Sequence, residues 1–497
     1  MPEVRVRFAP SPTGYVHVGN ARTALFNWLF ARHCEGSFVL RIEDTDVERS
    51  EERYEQSLIE ALKWFGLDWD EGPDKGGPFA PYQQSERKEL YARHARRLIE
   101  SEQAYYCFCT PEQLETEREE ALRAGGQPRY SGRCRALPFE DSARRVAAGE
   151  PAAIRLKIPD GSFSWDDMVH GPTTFEANVI GDPILVRSDG NPAYNYAVVI
   201  DDHMMEITHV LRGDDHISNT PRQLAVYRAL GWQPPAFGHL STILGPDRAR
   251  LSKRHGAASL ETLREAGILP EALRNYLALL GWSPGDGKTE ILGGDELRQQ
   301  FSLDHITRAP AVFDSEKLNW LNRHYLKAAA PARLAELSAR FFAQAGYLPE
   351  APSPTVLKWL ERVIEAVLKN VDTLSQLPGA ARLIFEYDLA RVPGDPETRD
   401  AIEAPAAREV LAAFLPKALE AGEMSYERFR GIMRAVQKET GKKGRELFHP
   451  VRVALTGVPS GPELEKLIPI FEEGAKLDLT RPVMSCAQRL REFQKFL

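Results

Sequence analysis

The sequence predicts an α/β chain: a doubly wound, Rossmann-type parallel-sheet domain that carries an insertion and is followed by an all-α region. Three observations predict it. Strand-like and helix-like segments alternate through the first hundred residues, the pattern breaks between about Tyr105 and Asn191 before resuming, and amphipathic helical periodicity takes over from about Ala332.

Val4-Arg5-Val6-Arg7-Phe8 alternates as a strand, and Ala21 to Ala31 reads as a helix with Ala21, Leu25, Trp28 and Leu29 on one face. Phe38 to Ile42 is a second strand that ends in Glu43-Asp44-Thr45-Asp46. Ser50 to Phe65 follows as a helix, with Leu58, Ile59, Leu62 and Phe65 along one side. This alternation builds parallel sheets with crossover helices, and ligands then sit beyond the carboxyl ends of the strands, where Ala9 to Gly14 and Glu43 to Asp46 fall. Within the insertion, Ala153 to Lys157 is strand-like. Tyr194-Asn195-Tyr196-Ala197-Val198-Val199-Ile200 and Ile207 to Leu211 are expected to resume the sheet as strands, and Thr220 to Leu230 as a helix. Further on, Val356, Trp359, Leu360, Val363, Ile364, Val367, Leu368 and Val371 recur at helical spacing, a stripe most simply read as core. Pro349 to Pro354 is the expected local linker. The resulting partition is 1–104 and 193–245 for the two halves of the parallel-sheet domain, 105–192 for the insertion, 246–331 for a connecting domain and 332–497 for the helical region.

Length and composition set outer limits. The chain has 497 residues, 43% hydrophobic and 27% charged, ordinary for a globular protein of roughly three or four domains. It contains no run of about eighteen apolar residues, and Met1 to Arg5 lacks the apolar core of a signal peptide, so no membrane association and a cytoplasmic location are expected. A net charge of −8 argues weakly against a nucleic-acid partner. Local distribution argues the other way: Arg430, Arg434, Lys438, Lys442, Lys443, Arg445 and Arg452 face only Glu439 and Glu446 in that stretch. Such a patch suits either phosphate contacts or a solvated helix face.

Three of the five cysteines cluster in the insertion, as Cys107-Phe108-Cys109 and Cys134. Three thiolates can hold a tetrahedral zinc ion that ties down a small ribbon; Tyr130 is the nearest candidate for a fourth ligand. Three reduced thiols without metal are the alternative.

Two stretches carry the chemistry. Pro10-Ser11-Pro12-Thr13-Gly14-Tyr15-Val16-His17-Val18-Gly19-Asn20 lies between a strand and a helix, and Arg250-Leu251-Ser252-Lys253-Arg254 lies far along the chain. A helix opening at Gly19 or Asn20 would aim unpaired N–H groups and its positive dipole end at a phosphate on the loop. Gly19 lets a ligand approach the backbone, His17 can donate to a phosphate oxygen, and Lys253 supplies a mobile charge. These are donors that adenylation requires as charge shifts onto the α-phosphate and pyrophosphate. Arg7, just ahead of the first stretch, can grip a carboxylate with a bidentate pair, and Glu43 can receive an ammonium. Capping of the following helix is the alternative reading for Glu43 and Asp44, and a functional role is the favoured one. A metal-dependent hydrolase built on Asp201, Asp202, His203, His209, Asp214, Asp215 and His216 is a poor alternative, because on alternating strands several of these point to opposite faces.

In combination these residues resemble the class I aminoacyl-tRNA synthetases, specifically the bacterial-type glutamyl-tRNA synthetases. Arg7 to Gly14 leading into His17-Val18-Gly19 looks like the glutamyl form of the HIGH motif. Arg41 to Asp46, Asp201-Asp202-His203 and the Leu251-Ser252-Lys253-Arg254 loop, the counterpart of the KMSKS motif, follow in the family's order, and landmarks continue to Arg452-Val453-Ala454-Leu455-Thr456. Asn20 and Arg250 depart from the wider class pattern, which has His and Lys there. The resemblance implies a glutamate-tRNA ligase that uses ATP with Mg²⁺ to form glutamyl-adenylate and then esterifies the 3′ end of tRNA(Glu), normally with tRNA required for the first step. It implies that Arg7, Ala9, Ser11, Glu43, Tyr194 and Arg212 bind glutamate, that His17, Gly19, Asn20, Ser252, Lys253 and Arg254 bind ATP, and that His17, Gly19 and Lys253 serve catalysis. It further implies that the insertion binds the acceptor stem and carries structural zinc on Cys107, Cys109, Tyr130 and Cys134, that 246–331 contacts the stem, that the helical region binds the anticodon, and that the chain acts as a monomer. A form that also charges tRNA(Gln) is the alternative within the family; a tRNA-modifying paralogue lacks the helical region.

Overall fold

In the computed structural model, all residues except 1–2, 46–51, 124, 126–128 and 252–258 are described. The chain divides into two units, 1–263 with 270–315, and 264–269 with 316–497.

The first unit is built on parallel strand pairs. Strand β1 (Arg5–Phe8) pairs with β2 (Ser37–Leu40) across helix α1 (Val18–His33). Helix α2 (Glu52–Phe65) and helix α3 (Lys88–Glu100) follow. The insertion begins with β3 (Ala104–Cys107), carries α4 (Pro111–Arg123) and α5 (Phe139–Ala147), and returns through β4 (Ala153–Leu156), which pairs antiparallel with β3. Strands β5 (Ser162–Asp167) and β6 (Gly171–Glu176) form a hairpin, and after α6 (Ala177–Ile180) strand β7 (Ile184–Val186) joins β4. The parallel sheet resumes after helix α7 (Tyr194–Met204): β8 (His209–Gly213) pairs with β9 (Ala236–Leu240) across helix α8 (Thr220–Leu230). The Thr208 N–H donates to the Arg5 carbonyl at 3.0 Å, which sets β8 beside β1.

Helix α1 shows why amphipathic periodicity fades at the centre of such a fold. Val18, Ala21, Ala24, Leu25, Phe26, Trp28, Leu29 and Ala31 are all buried, so apolar residues occupy nearly every face. Asn27 is buried too, and its Nδ2 donates to the Leu211 carbonyl at 3.0 Å, tying the helix to β8.

Three expectations need correction. Tyr194 to Ile200 is not a strand but the body of α7. Tyr196, Ala197, Val198, Val199 and Ile200 are all buried, and a short apolar run with no polar face gives no period by which helix and strand differ. The first helix opens at Val18, earlier than Gly19, because His17 is its N-cap: the imidazole Nδ1 accepts from the Gly19 N–H at 3.2 Å. The strand expected over Ile207 to Leu211 lies two residues further on, at His209–Gly213.

The second unit, among its described residues, is helical. Its helix Pro354–Val367, with Ser353 as N-cap, buries Val356, Trp359, Leu360, Val363, Ile364 and Val367 of the predicted stripe, while Leu368, half-buried, and Val371, buried, lie beyond the helix's end. The Pro349 to Pro354 segment is the connection between that helix and Pro331–Gln344.

His94 on α3 is buried with neither ring nitrogen hydrogen-bonded, edge-on to Trp232 at 5.1 Å, while Trp232 stacks on His203 at 3.7 Å. Burial, with the charges of Arg93 and Arg97, pushes the His94 imidazole down to about 4 from 6.5. Between those values the unfolded chain takes up a proton that the folded chain refuses, so stability falls as pH drops through this window. His94→Leu is expected to flatten that acid limb relative to wild type, read from urea unfolding midpoints between pH 7 and pH 4.5.

Candidate active site

Beyond the carboxyl ends of β1 and β8 lies a cavity of about 610 Å³. Every described residue expected to bind glutamate or ATP lines it: Arg7, Ala9, Ser11, Glu43, Tyr194 and Arg212, with His17, Gly19 and Asn20. Ser252, Lys253 and Arg254 lie outside the described residues, but their neighbours Arg250 and Leu251 line the same cavity. His17 and Leu251, 234 positions apart (251 − 17), are thus brought to one cavity by the fold.

Beneath the floor lies a buried ion-pair network. Arg41 is fully buried; it donates through Nη1 to Asp202 Oδ1 at 2.7 Å and through Nη2 to Glu43 Oε1 at 2.9 Å. Arg7 donates to Asp202 as well, from Nε at 3.1 Å and Nη2 at 3.4 Å. Asp201, one residue earlier on α7, faces another set: Arg87 Nε at 2.7 Å, Gln84 Nε2 at 2.8 Å and the Tyr91 hydroxyl at 2.9 Å. Burial pushes the Asp202 carboxyl up, but Arg7 and Arg41 outweigh it and hold it below its ordinary value. For Glu43 burial dominates and the carboxyl is raised despite Arg41 and Arg7. One edge of the Arg7 fork is therefore spent on Asp202, and Glu43 offers an incoming ammonium only what its bond to Arg41 leaves. Asp44 is engaged away from the following helix: it accepts from the Ser85 N–H at 2.8 Å and the Ser85 hydroxyl at 2.5 Å.

Arg212 stands apart. It is 5% exposed, and among the described residues it has no carboxylate partner. Its Nε donates to His239 Nε2 at 3.2 Å and its Nη2 to Thr220 Oγ1 at 2.8 Å, while Nη1 has no partner. Burial lowers its basicity, and the nearby Arg7 adds to that. A second such cation, Arg22, lies on α1 at the cavity wall. Its guanidinium donates to the carbonyls of Leu280, at 2.9 Å, and Ser241, and burial lowers it to about 10. Sequence reasoning missed Arg22; its only signal is a charge on a helix whose neighbours are apolar.

The histidines on the rim are neutral at physiological pH. Burial, then Arg250, holds His17 down, and burial, then Arg212, holds His216 at about 4. His17 Nδ1 accepts from the Gly19 N–H, so its remaining proton sits on Nε2. Among the described residues outside the helix's own backbone, a Cβ at Gly19 would find that Nδ1 alone within 4 Å, at 3.6 Å, which leaves room for a ligand there. The hydrolase alternative fails on this geometry: Asp201 and Asp202 are consumed by arginines, and His203 stacks on Trp232.

In the insertion, the thiol groups of Cys107, Cys109 and Cys134 lie within 4.8 Å of one another, with Cys109 and Cys134 sulfurs 3.7 Å apart. The Tyr130 hydroxyl is 3.4 Å from Cys107 Sγ and 3.8 Å from Cys109 Sγ. Sulfur ligands of one tetrahedral zinc, each at about 2.3 Å, stand somewhat under 4 Å apart, so this donor set fits such an ion.

A family model described as tRNA synthetases class I (E and Q), catalytic domain, matches residues 3–320. The chain belongs to the class I glutamyl-tRNA synthetases. An anticodon binding domain model matches residues 333–474. Similar proteins include a glutamate–tRNA ligase of Carboxydothermus hydrogenoformans, 48% identical over 94% of this chain and 97% of its own length. That of Desulforamulus reducens is 46% identical over the same shares. Among solved structures, a glutamate tRNA ligase from Elizabethkingia meningosepticum in complex with its amino acid aligns over the full length of both chains, with a TM-score of 0.85 and 31% identity.

The network beneath the cavity is expected to be structural as well as functional. Arg41→Met removes the partner shared by Asp202 and Glu43, leaving buried carboxylates short of a counter-charge, and should cost about 3–5 kcal/mol in denaturant unfolding.

Proposed function

We propose that this chain is a glutamate–tRNA ligase, activating L-glutamate with ATP and passing the glutamyl group to the 3′ end of tRNA(Glu). The observation that carries the choice of amino acid is Arg212, a buried cation with a free Nη1 and no carboxylate among the described residues. A glutamate side-chain carboxylate supplies what Arg212 lacks, and Arg7, held by Asp202, lies near enough to share it. Glutamine would leave guanidinium N–H groups facing an amide NH₂, so the site rejects this near-isostere without editing. Glu43, on the far side of Arg41, receives the α-ammonium; Ala9, Ser11 and Tyr194 complete the pocket.

The activation step joins a glutamate α-carboxylate oxygen to the α-phosphorus of ATP and releases pyrophosphate. His17, with its Nε2 proton, and the helix start at Gly19 and Asn20 hold the phosphates, and Ser252, Lys253 and Arg254 join them in binding ATP. Mg²⁺ arrives with ATP and supplies charge neutralisation on the phosphates. The terminal ribose hydroxyl of tRNA then displaces AMP. On this reading 1–104 with 193–245 forms the catalytic domain, 105–192 binds the acceptor stem, 246–331 contacts the stem and 332–497 reads the anticodon. The protein works as a cytoplasmic monomer. Zinc on Cys107, Cys109, Tyr130 and Cys134 holds the insertion's ribbon together, a structural role.

Purified protein with ATP, Mg²⁺ and L-glutamate should charge tRNA(Glu); a parallel reaction with tRNA(Gln) determines scope, and failure with both tRNAs refutes the reading. Arg212→Leu should lower kcat/KM for glutamate on the order of a hundredfold, about 2.7 kcal/mol at 1.36 kcal/mol per decade, with the KM for ATP little changed.

Elemental analysis should find about one zinc per chain, and Cys134→Ser should lose it and lower the melting temperature by several degrees. Metal-free wild-type protein of unchanged melting temperature would rule zinc out.

A further inference from the structure

Behind Arg212 runs a chain of buried side chains that the amino-acid pocket as described above does not use. Asp167 ends β5 on the inserted hairpin and is 3% exposed. Its Oδ1 accepts from the Val169 N–H and His170 N–H at 3.1 Å each and from the His239 N–H at 3.2 Å; its Oδ2 accepts from Trp165 Nε1 at 3.1 Å. His239 Nδ1 stands 2.5 Å from that same Oδ2. Burial pushes Asp167 up, but these donors outweigh it and hold it well below the usual carboxylate range. An ionised carboxylate only accepts, so the proton of this bond sits on His239 Nδ1, and Nε2 is left as a bare acceptor. Arg212 Nε donates to that nitrogen at 3.2 Å, and Thr220 Oγ1, which accepts from Arg212 Nη2, lies 3.1 Å from it.

Arg212 is thus oriented on two nitrogens by neutral acceptors. A carboxylate in place of His239 would fix the guanidinium equally well but would cancel the charge that a ligand carboxylate needs. The fully buried His239 side chain passes orientation along without passing charge. Close approach of the hairpin makes the arrangement achievable: the Met168 N–H donates to the Phe237 carbonyl at 2.8 Å, and a Cβ at Gly238 would stand 2.8 Å from Leu211 Cδ2 and 3.1 Å from Met168 Cε.

We propose that His239, set in its Nδ1–H tautomer by Asp167, is a positioning residue that holds Arg212 as an uncompensated donor and so contributes to selection of glutamate over glutamine. The assignment rests on the reading of Arg212 as the glutamate carboxylate partner.

Two substitutions separate the halves of the imidazole. In His239→Gln the amide reaches the place of Nε2 and can still accept from Arg212; in His239→Asn it reaches only the place of Nδ1 and keeps the contact with Asp167. Glutamate-dependent ATP–pyrophosphate exchange with tRNA present should show His239→Asn with a KM for glutamate raised at least tenfold, kcat and the KM for ATP within about threefold, and a reduced preference for glutamate over glutamine. His239→Gln should recover most of the loss. Thr220→Val, which removes the second acceptor, should raise the KM for glutamate in the same selective way and serves if the histidine variants do not fold. An unchanged KM in folded variants, equal rises for glutamate and ATP, or equal defects in Asn and Gln would each overturn the proposal while leaving the ligase reading intact. Wild-type protein that shows no glutamate-dependent exchange would remove that reading, and the proposal with it.

Discussion

The buried pair of Arg41 with Asp202 is the contact on which the cavity's geometry depends. A fully buried guanidinium is tolerable only when its charge is met, and Arg41 meets this by pairing Nη1 with Asp202 and Nη2 with Glu43. Asp202 in turn holds Arg7, so residues from β1, the end of β2 and α7 are locked to one another at hydrogen-bond distances. A slide of α7 by one turn, about 5.4 Å, would separate Asp202 from both Arg7 and Arg41. Burial on both sides also makes the helical form of α7 necessary. Asp201 and Asp202 lie about 100° apart on a helix, which lets the first reach Arg87, Gln84 and Tyr91 while the second reaches Arg7 and Arg41. On a strand they would face opposite sides of the sheet.

Above that floor the charges are left unbalanced. Arg7 shares its counter-ion with Arg41, and Arg212 and Arg22 are held by histidine, hydroxyl and carbonyl acceptors instead of carboxylates. His17 and His216 add no charge, because burial and neighbouring arginines keep both neutral. The wall therefore carries fixed positive charge on buried side chains, and burial strengthens their pull on an anion. Glu43 and the rim residues Asp214 and Asp215 keep the field local: Asp214 is bound by Thr242, and Asp215 meets Arg250. Carboxylate and phosphate groups can thus be drawn to different parts of one cavity.

Much of this was legible in the sequence where structure is local. The strand, loop and helix around Pro10 to Asn20 follow from short-range patterning, and the helix Thr220–Leu230 was bounded to the residue by its Pro at the start and Gly231 at the end. The cysteine cluster was legible by spacing alone. What was not legible depended on long-range pairing. Tyr194 to Ile200 carries β-branched and aromatic residues that suit a strand, and the tertiary contacts of α7, among them those of Asp201 and Asp202 with buried arginines, override that preference. His239 and Thr220 read as unremarkable polar residues, since their partner Arg212 is defined by the sheet and not by the local sequence. Asp167 was hidden by distance as well: it lies 72 positions from His239.

That distance has a physical consequence for how the insertion relates to the pocket. An inserted segment joined only at its two ends could be exchanged with little effect on the parallel sheet, as loops commonly are. Here the hairpin of β5 and β6 does more, because Met168 hydrogen-bonds to β9 and Asp167 supplies the anion that fixes the His239 tautomer. The carboxylate is buried, carries five hydrogen bonds counting the short one to Nδ1, and cannot be withdrawn without leaving those donors unmet. The insertion is therefore a structural part of the wall that holds Arg212, and a shift of the hairpin against β9 reaches that guanidinium through His239.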